Sequence, residues 1–382
     1  MAQEKPGIIR RFFSSILLLL NFCAVVWLAL CAVASFTSPA EVSYIALFSL
    51  TTPFAILANV IFVVFWLFTS HKWRALISTL TLAACYKVVL TIVAFNFFDG
   101  NDMTQREGTI KIMSWNAHGM GIFNRPKPKG FDEEILNFLD REDADILCLP
   151  EYSLSKDNIM KPFAEKIIRN GNYIDYRFQP DNSLNNKVYI GTAVFSRYPF
   201  KNYESHRLTN FIYMMQGDVQ LPGNNMVRVF FVHLTTFGLS DKDKAYIDEI
   251  KKRNTEVADG IDKSKTFIGK FNNAFAKRAK EAELAASIIA KSPHPVFICG
   301  DFNDLPGSYT YTTMRANRSD AFLEKGTGLG RTYNHILPTL RIDHMFYDTS
   351  RLRLVGFNCP VTRLSDHNPL IANFEIKGKP QS

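Results

Sequence analysis

The chain has 382 residues, 47% of them hydrophobic, and a formal net charge of +8, a length that accommodates about two or three domains. Apolar residues crowd into positions 1–98, where six basic residues against two acidic ones account for half of the net charge, so the overall basicity is no argument for a nucleic-acid partner. Three of the six cysteines lie in that apolar part, and the other three, Cys148, Cys299 and Cys359, are odd in number and widely spaced with no CxxC, which excludes a disulfide framework and a zinc-thiolate site.

Residues 12–36, 44–68 and 75–98 form three apolar runs, each at or above the roughly 20 residues that cross a hydrocarbon core. Lys5, Arg10 and Arg11 precede the first run, and His71, Lys72 and Arg74 separate the second from the third. By the positive-inside rule the amino terminus is cytoplasmic, and three crossings put everything beyond Phe98 on the extracytoplasmic side. A cleaved signal peptide is the competing reading of the first run; its length and the two runs behind it favour a span, and cleavage leaves the sidedness unchanged. Lys87 falls in the middle of the third run and, with no acidic partner in the other runs, reads as a helix contact or a snorkelling side chain. The expected organisation is a multi-pass membrane anchor over 1–98, a polar linker over 99–108 and one soluble domain over 109–377.

In the soluble part, 110–116 alternates as a strand ending at Asn116, and 131–142 carries Ile135, Leu136 and Leu139 at helical spacing. The run ADILCLPE is expected as a buried strand stopped by Pro150 with Glu151 at its tip, an unusual place for a carboxylate without a partner or a metal. Residues 188–200 read as β-rich with a turn at Tyr198-Pro199, and MVRVFFVHL alternates into His233. Residues 241–280 hold eleven basic and seven acidic groups; this reads as a solvated helical face, with an anion-facing surface as the alternative. Residues 278–292 place Ala282, Leu284, Ala285, Ile288 and Ile289 on one side of a helix packing on a sheet.

HPVFICGDFND follows at 294–304. A short apolar strand there ends in glycine, two carboxylates and an amide, the pattern of polar groups held at the end of a buried strand. If the extended geometry persists past Gly300, Asp301 and Asn303 face one side, and Asp304 falls on the other as a structural residue. Further on, Asp343 and His344 open a strand, and Asp366 and His367 precede the last one. Clustered acids are hard oxygen ligands suited to Mg²⁺, with Mn²⁺ as second choice. The histidines can accept and donate protons near neutral pH, so hydrolysis of a phosphate ester by an activated water is the natural fit.

The motifs SWN at 114–116, LPE at 149–151, GTAVFSRYP at 191–199, VHL at 232–234, GDFND at 300–304, RIDH at 341–344 and SDHNPL at 365–370 resemble, in order, those of the endonuclease/exonuclease/phosphatase superfamily with its DNase I-like fold. The resemblance runs from about 111 to 376. It implies a four-layer α/β/β/α sandwich. It also implies that Glu151 is the principal metal ligand, that Asn116 takes part in metal and phosphate binding, and that Asp366 is a second metal-side carboxylate. Asp301 and Asn303 would position or activate the nucleophile and hold phosphate, His367 oriented by Asp343 would be the general base or electrostatic partner, and His233 would donate to the scissile phosphate. Departures are the continuation AHGM after SWN, Leu-Pro before the glutamate, and His344 where an aromatic residue is common.

The expected function is therefore a membrane-anchored, divalent-metal-dependent phosphoesterase acting on a diester or monoester. The substrate is left open between nucleic acid, a phospholipid headgroup and a nucleotide; the bilayer is the other partner, and no protein partner can be inferred. A non-catalytic, membrane-tethered binding protein on the same fold is the alternative.

Overall fold

The computed structural model describes residues 8–98, 100–123, 127–155, 161–184, 187–221, 225–238, 257–334 and 340–377. Its centre is made of strands buried on both faces, which is why they read as near-continuous apolar runs. In β2 (Thr109–Ser114), Ile110 and Ile112 point between two sheets while Met113 points to a helix layer. In β8 (Asn225–His233), Val227, Val229 and Phe231 point between the sheets while Phe230 and Val232 face outward. β9 (Val296–Asp301) repeats this with Phe297 and Cys299 inside, Val296 and Ile298 outside. Period-two alternation thus fills an inter-sheet core and two outer cores at once.

One six-stranded sheet has β2 beside β3 (Ile146–Ser155), β5 (Val188–Ser196) and β4 (Asp175–Leu184) on one side, and β14 (Leu370–Ile376) and β13 (Leu352–Asn358) on the other. The second runs from β6 (Phe200–Arg207) through β7 (Tyr213–Leu221), β8, β9 and β12 (Asp343–Tyr347) to β10 (Ser319–Asp320). The turn expected at Tyr198-Pro199 does not close a hairpin: it carries the chain from β5 in the first sheet to β6 in the second. Helices Phe131–Glu142 and Lys161–Asn170 cover the first sheet, and the long helix Val257–Ile289 covers the second through Ala282, Ala285 and Ile289. These are the four layers of an α/β/β/α sandwich. The basic stretch 241–280 lies partly outside the described residues.

The first ninety-odd residues pack the opposite way, with polar groups inside and apolar groups outside. Two helical segments, Phe12–Ala34 and Ile45–Leu67, are 23 residues each and apolar enough to cross a membrane. Phe12, Leu19, Phe22, Leu57 and Ile61 point outward. Between the helices, Trp66 Nε1 donates to Asn21 Oδ1 at 2.9 Å, Asn21 Nδ2 to Ser78 Oγ at 2.6 Å, and Asn59 Nδ2 to the Ala24 carbonyl at 2.9 Å. Buried side-chain hydrogen bonds are how helices are joined where lipid offers no hydrophobic drive between them.

The third apolar run is not one straight span. Lys72–Ala84 and Tyr86–Ile92 meet at an angle of 78°. The 75–98 stretch contains no proline or glycine, so the break has no local cause of the usual kind. The second piece is held by the sandwich instead. Val88, Thr91 and Ile92 line the space beside Gly307, and Arg341 Nη2 donates to the Thr91 carbonyl at 2.6 Å. Lys87, expected in mid-span, sits exposed just past the bend. Residues expected at the end of that run instead form β1 (Ala94–Phe95), paired with Thr327–Gly328 of the soluble domain. Ser35 Oγ also donates to the Gly307 carbonyl, and Ser38 Oγ to Glu283 Oε1 at 2.9 Å.

Candidate active site

Register alone brings three polar residues into one row. In the second sheet His233 lies opposite Asp301 on the parallel pair β8–β9, and Asp301 lies opposite Asp343 on the antiparallel pair β9–β12. Gly300 makes this row possible: at φ 144° its missing Cβ leaves room for the Val232 carbonyl, 1.9 Å from where a Cβ would stand. In the first sheet Ser114 is opposite both Cys148 and Leu370. Asn116 two residues on, Glu151 three residues on and His367 three residues before Leu370 therefore emerge at one edge. The eight residues singled out in the sequence gather where the two sheet edges meet.

Two local expectations are corrected. β3 does not stop at Pro150; it continues to Ser155 through a bulge between Leu149 and Tyr152. Glu151 sits on that bulge at φ 54°, a strained conformation for a non-glycine residue. The extended geometry does not persist past Asp301 either. Asn303 takes φ 51°, its N–H donates to Asp301 Oδ1 at 2.8 Å, and its Nδ2 donates to the Leu234 carbonyl at 3.0 Å. An Asx turn replaces the alternation. Asp304 is turned away, accepting from Arg278 Nε at 3.4 Å and from the Leu305 N–H at 2.9 Å.

His367 Nδ1 donates to Asp343 Oδ2 at 2.8 Å, and its Nε2 lies 3.8 Å from Asp301 Oδ2. Asn116 Nδ2 donates to the same Asp301 oxygen at 3.0 Å. Burial, and then the Asp343 charge, push the Asp301 carboxyl above its ordinary range, against His367, His233 and Asn116. Burial would lower His367, but the Asp343 and Asp301 charges and the Asp343 hydrogen bond outweigh it and raise its pKa to about 10. His233 behaves alike: burial would lower it, but the neighbouring Asp181, Asp301 and Glu151 carboxylates outweigh this, giving about 9. Neither ring nitrogen of His233 has a hydrogen-bond partner within normal distance, although Glu151 Oε1 and Asp181 Oδ2 lie 3.7 and 3.6 Å away.

Two site residues carried no motif. Asp181 stands in the polar run QPDNSL, where nothing marks one acid as special; it reaches His233 only because β4 folds against the same sheet edge. His118 was visible only as the departure AHGM. Its Nδ1 lies 3.3 Å from Asp366 Oδ1 and 3.7 Å from Glu151 Oε2. It is held there by four consecutive left-handed residues, with φ of 44° at His118, 67° at Gly119, 53° at Met120 and 78° at Gly121. Such backbone costs roughly 1–2 kcal/mol per non-glycine residue, and Ser153 Oγ pins the turn through the Gly119 carbonyl at 2.8 Å.

The residues fit a divalent cation. Glu151 and Asp366 keep 26% and 11% of their side chains exposed and share one neighbouring point, the place of the His118 nitrogen. Burial would raise the Glu151 carboxyl, but the neighbouring His118, His233, His367 and Asn116 outweigh it and hold it at about 2, ionised at any physiological pH. Asp301, Asp343 and His367 also bring ligand atoms within 4.8 Å of one another. Those atoms are closed in hydrogen bonds and buried, so that cluster suits proton handling, and the more open Glu151–Asp366 pair suits an ion.

The model of the Endonuclease/Exonuclease/phosphatase family matches residues 113–367, more than half of the chain. The chain belongs to that family. A second family model, described as a domain of unknown function, matches residues 14–92. Among solved structures, the endonuclease/exonuclease/phosphatase from Beutenbergia cavernae aligns at 16% identity over 72% of this chain and 74% of its own, with a TM-score of 0.49. The human Nocturnin catalytic domain aligns at 15% identity over 72% and 97%, also with a TM-score of 0.49. An endonuclease/exonuclease/phosphatase family protein from Bacteroides thetaiotaomicron aligns at 14% identity over 71% and 98%, again at 0.49. No curated protein matches. Members of the endonuclease/exonuclease/phosphatase family act on phosphoesters, and the site described here has the acids and histidines for that work.

Proposed function

We propose that the protein is a membrane-anchored, divalent-metal-dependent phosphoesterase, Mg²⁺ being the first choice of ion and Mn²⁺ the second. The observation that carries the reading is the single row His233–Asp301–Asp343 facing Glu151 and Asp366 across the sheet edge. Glu151 and Asp366 would hold the ion, which when bound supplies positive charge to a phosphoryl or leaving oxygen. Asp301, its basicity raised by burial and by Asp343, accepts a proton from the attacking water, and the Asx turn through Asn303 fixes its carboxylate. His367, fixed by Asp343, stays protonated and presents Nε2 to the phosphoryl group. His233 lends a second cation whose unfilled nitrogens suit a phosphoryl oxygen.

The same reading places the catalytic domain and the amino terminus on opposite sides of a bilayer. Arg74 Nη1 bonds Ser14 Oγ at 2.7 Å at one end of the helical bundle, while Ser35 and Thr91 bond the catalytic domain at the other. The chain passes between these ends three times. With the basic residues before Phe12 and at 71–74 held inside, the catalytic domain is extracytoplasmic.

The test is hydrolysis of bis(4-nitrophenyl) phosphate and 4-nitrophenyl phosphate by the full chain in detergent, with Mg²⁺, Mn²⁺ or chelator. Chelator-sensitive turnover lost in Glu151→Gln and Asp301→Asn is expected. Absence of turnover on either ester, or turnover indifferent to both substitutions, overturns the enzyme reading in favour of a binding protein.

A further inference from the structure

The chain leaving the last membrane helix builds one wall of a cavity that the catalytic scheme does not use. Ile92 ends that helix, and Asn96 and Phe97 already line a cavity of about 530 Å³ closed on the other side by Lys325, Arg331, Phe357 and Val361. Four residues of extended chain span at most about 14 Å, so the cavity lies beside the end of the helical bundle that bonds the sandwich. The wall is fastened, not incidental: Asn96 Nδ2 donates to the Leu323 and Gly326 carbonyls at 2.9 Å each, and Asn101 exchanges two hydrogen bonds with the Phe357 backbone.

Its charge is one-sided. Among the described residues the lining includes Lys325 and Arg331 and no acidic residue. Lys325 Nζ donates to the Gly100 carbonyl at 2.9 Å, and Arg331 donates to the Tyr333 and Asn334 carbonyls. Among the described residues neither cation lies within ion-pair distance of a carboxylate. Four asparagines besides Asn96, at 101, 334, 358 and 368, complete the polar lining. The rim is apolar at Phe97 and Val361, with Phe95 and Phe98 beside Phe97 in the chain, and all four are more than 60% exposed, a cost in water and a fit to the headgroup and acyl boundary.

We infer that this cavity is a binding site for the phosphate-bearing headgroup of an anionic phospholipid drawn from the bilayer around the anchor. Lys325 and Arg331 meet the phosphate, the asparagines meet the rest of the headgroup, and the aromatic rim lies along the acyl chains. The site abuts the catalytic loop. The Asn334 N–H donates to the Asp366 carbonyl at 2.7 Å, and Asn368 Nδ2, next to His367, donates to the Arg331 carbonyl at 3.1 Å. A lipid held here stands beside the strand end that carries Asp366 and His367, which makes phospholipid the substrate class nearest the site. The inference rests on the proposed membrane anchoring and not on the proposed hydrolysis.

The experiment is native mass spectrometry of the detergent-solubilised full chain, without added metal, titrated with dihexanoyl phosphatidylglycerol, dihexanoyl phosphatidylcholine or inorganic phosphate. One phosphatidylglycerol per chain is expected to be retained about tenfold more tightly than phosphatidylcholine, the size of one charge-assisted hydrogen bond. Lys325→Gln with Arg331→Gln removes the preference. Thr327→Glu, on the exposed wall and breaking no described hydrogen bond, removes it as well while thermal melting stays put. Equal retention of the two lipids, or a preference untouched by these substitutions, overturns the proposal; displacement by inorganic phosphate at equal affinity reassigns the cavity to a free anion and overturns it too. Because Glu151→Gln is expected to retain the lipid, loss of catalysis and loss of this site are read separately. Release of the chain from membranes by carbonate without detergent would instead defeat the anchoring.

Discussion

Asp181 Oδ2 stands 3.6 Å from His233 Nδ1, and like His118 it belongs to no motif. The pair is buried, and Asp181 is the leading cause that raises the imidazole. Asp181→Asn keeps the shape and removes the charge. The kcat/KM for a phosphodiester is expected to fall on the order of tenfold to a hundredfold, below the roughly 10²–10⁴ of losing an acid–base group outright, and His233 should titrate at lower pH by NMR. An unchanged His233 titration would remove Asp181 from the site.

Ion binding is checked apart from activity. Mn²⁺ titration of the full chain, followed by its electron paramagnetic resonance signal, is expected to lose binding in Glu151→Gln and to weaken roughly 10–100-fold in Asp366→Asn. His118→Gln reports whether the imidazole beside both carboxylates competes with the ion or joins it. Tighter Mn²⁺ binding in that variant means competition, and weaker binding means ligation. Chelator should leave the fold intact, since the two sheets meet through an apolar core.

His344 gives a pH signature. Burial, and then the Arg341 charge, lower its pKa from 6.5 to about 4. Between these values the unfolded chain takes up a proton that the native state refuses. Its contribution is therefore fully present above pH 6.5 and is lost as pH falls through 4, by an amount on the order of 3 kcal/mol. His233 and His367, raised to about 9 and 10, act oppositely: their contribution is present below 6.5 and drains away as pH climbs through those values. Metal-free stability should peak near neutrality. In His344→Phe, urea denaturation is expected to show a shallower loss between pH 6.5 and 4.5 than in wild type, while the alkaline limb is unchanged.

Arg341 ties the apolar helices to the sandwich. It pairs with Asp320 at 2.8 Å, both side chains about 1% exposed, and reaches the Thr91 carbonyl. Arg341→Met strands the Asp320 charge and should cost about 3–5 kcal/mol of stability. Protease susceptibility at 93–98 should rise at the same time, because the bent piece Tyr86–Ile92 loses its hold. An Asp320→Asn, Arg341→Met double variant is expected to recover part of the stability and none of the protection.

How far the sequence alone reached can be seen residue by residue. Buried strands of the type VFICGD and DILCLPE have only one stable environment, an interior between layers, so their alternation and polar ends marked strands and eight candidate site residues, while the sandwich came from the resemblance of the ordered motifs to a family. Where the chain turns sharply, local pattern failed. Glu151 lies on a bulge within β3 and not past its end, and Asn303 folds back into an Asx turn, because φ above zero at a non-glycine residue is imposed by surroundings and leaves no signature. The bend of 78° near Cys85 is of the same kind: hydropathy counts apolar residues, and only the docking of Thr91 on Arg341 shows where the helix must turn. Asp181 and His118 reach the candidate site through sheet register and a strained turn. Composition and period determine which residues must be buried; only the tertiary structure decides which polar groups are buried together, since that depends on contacts between residues far apart in the chain.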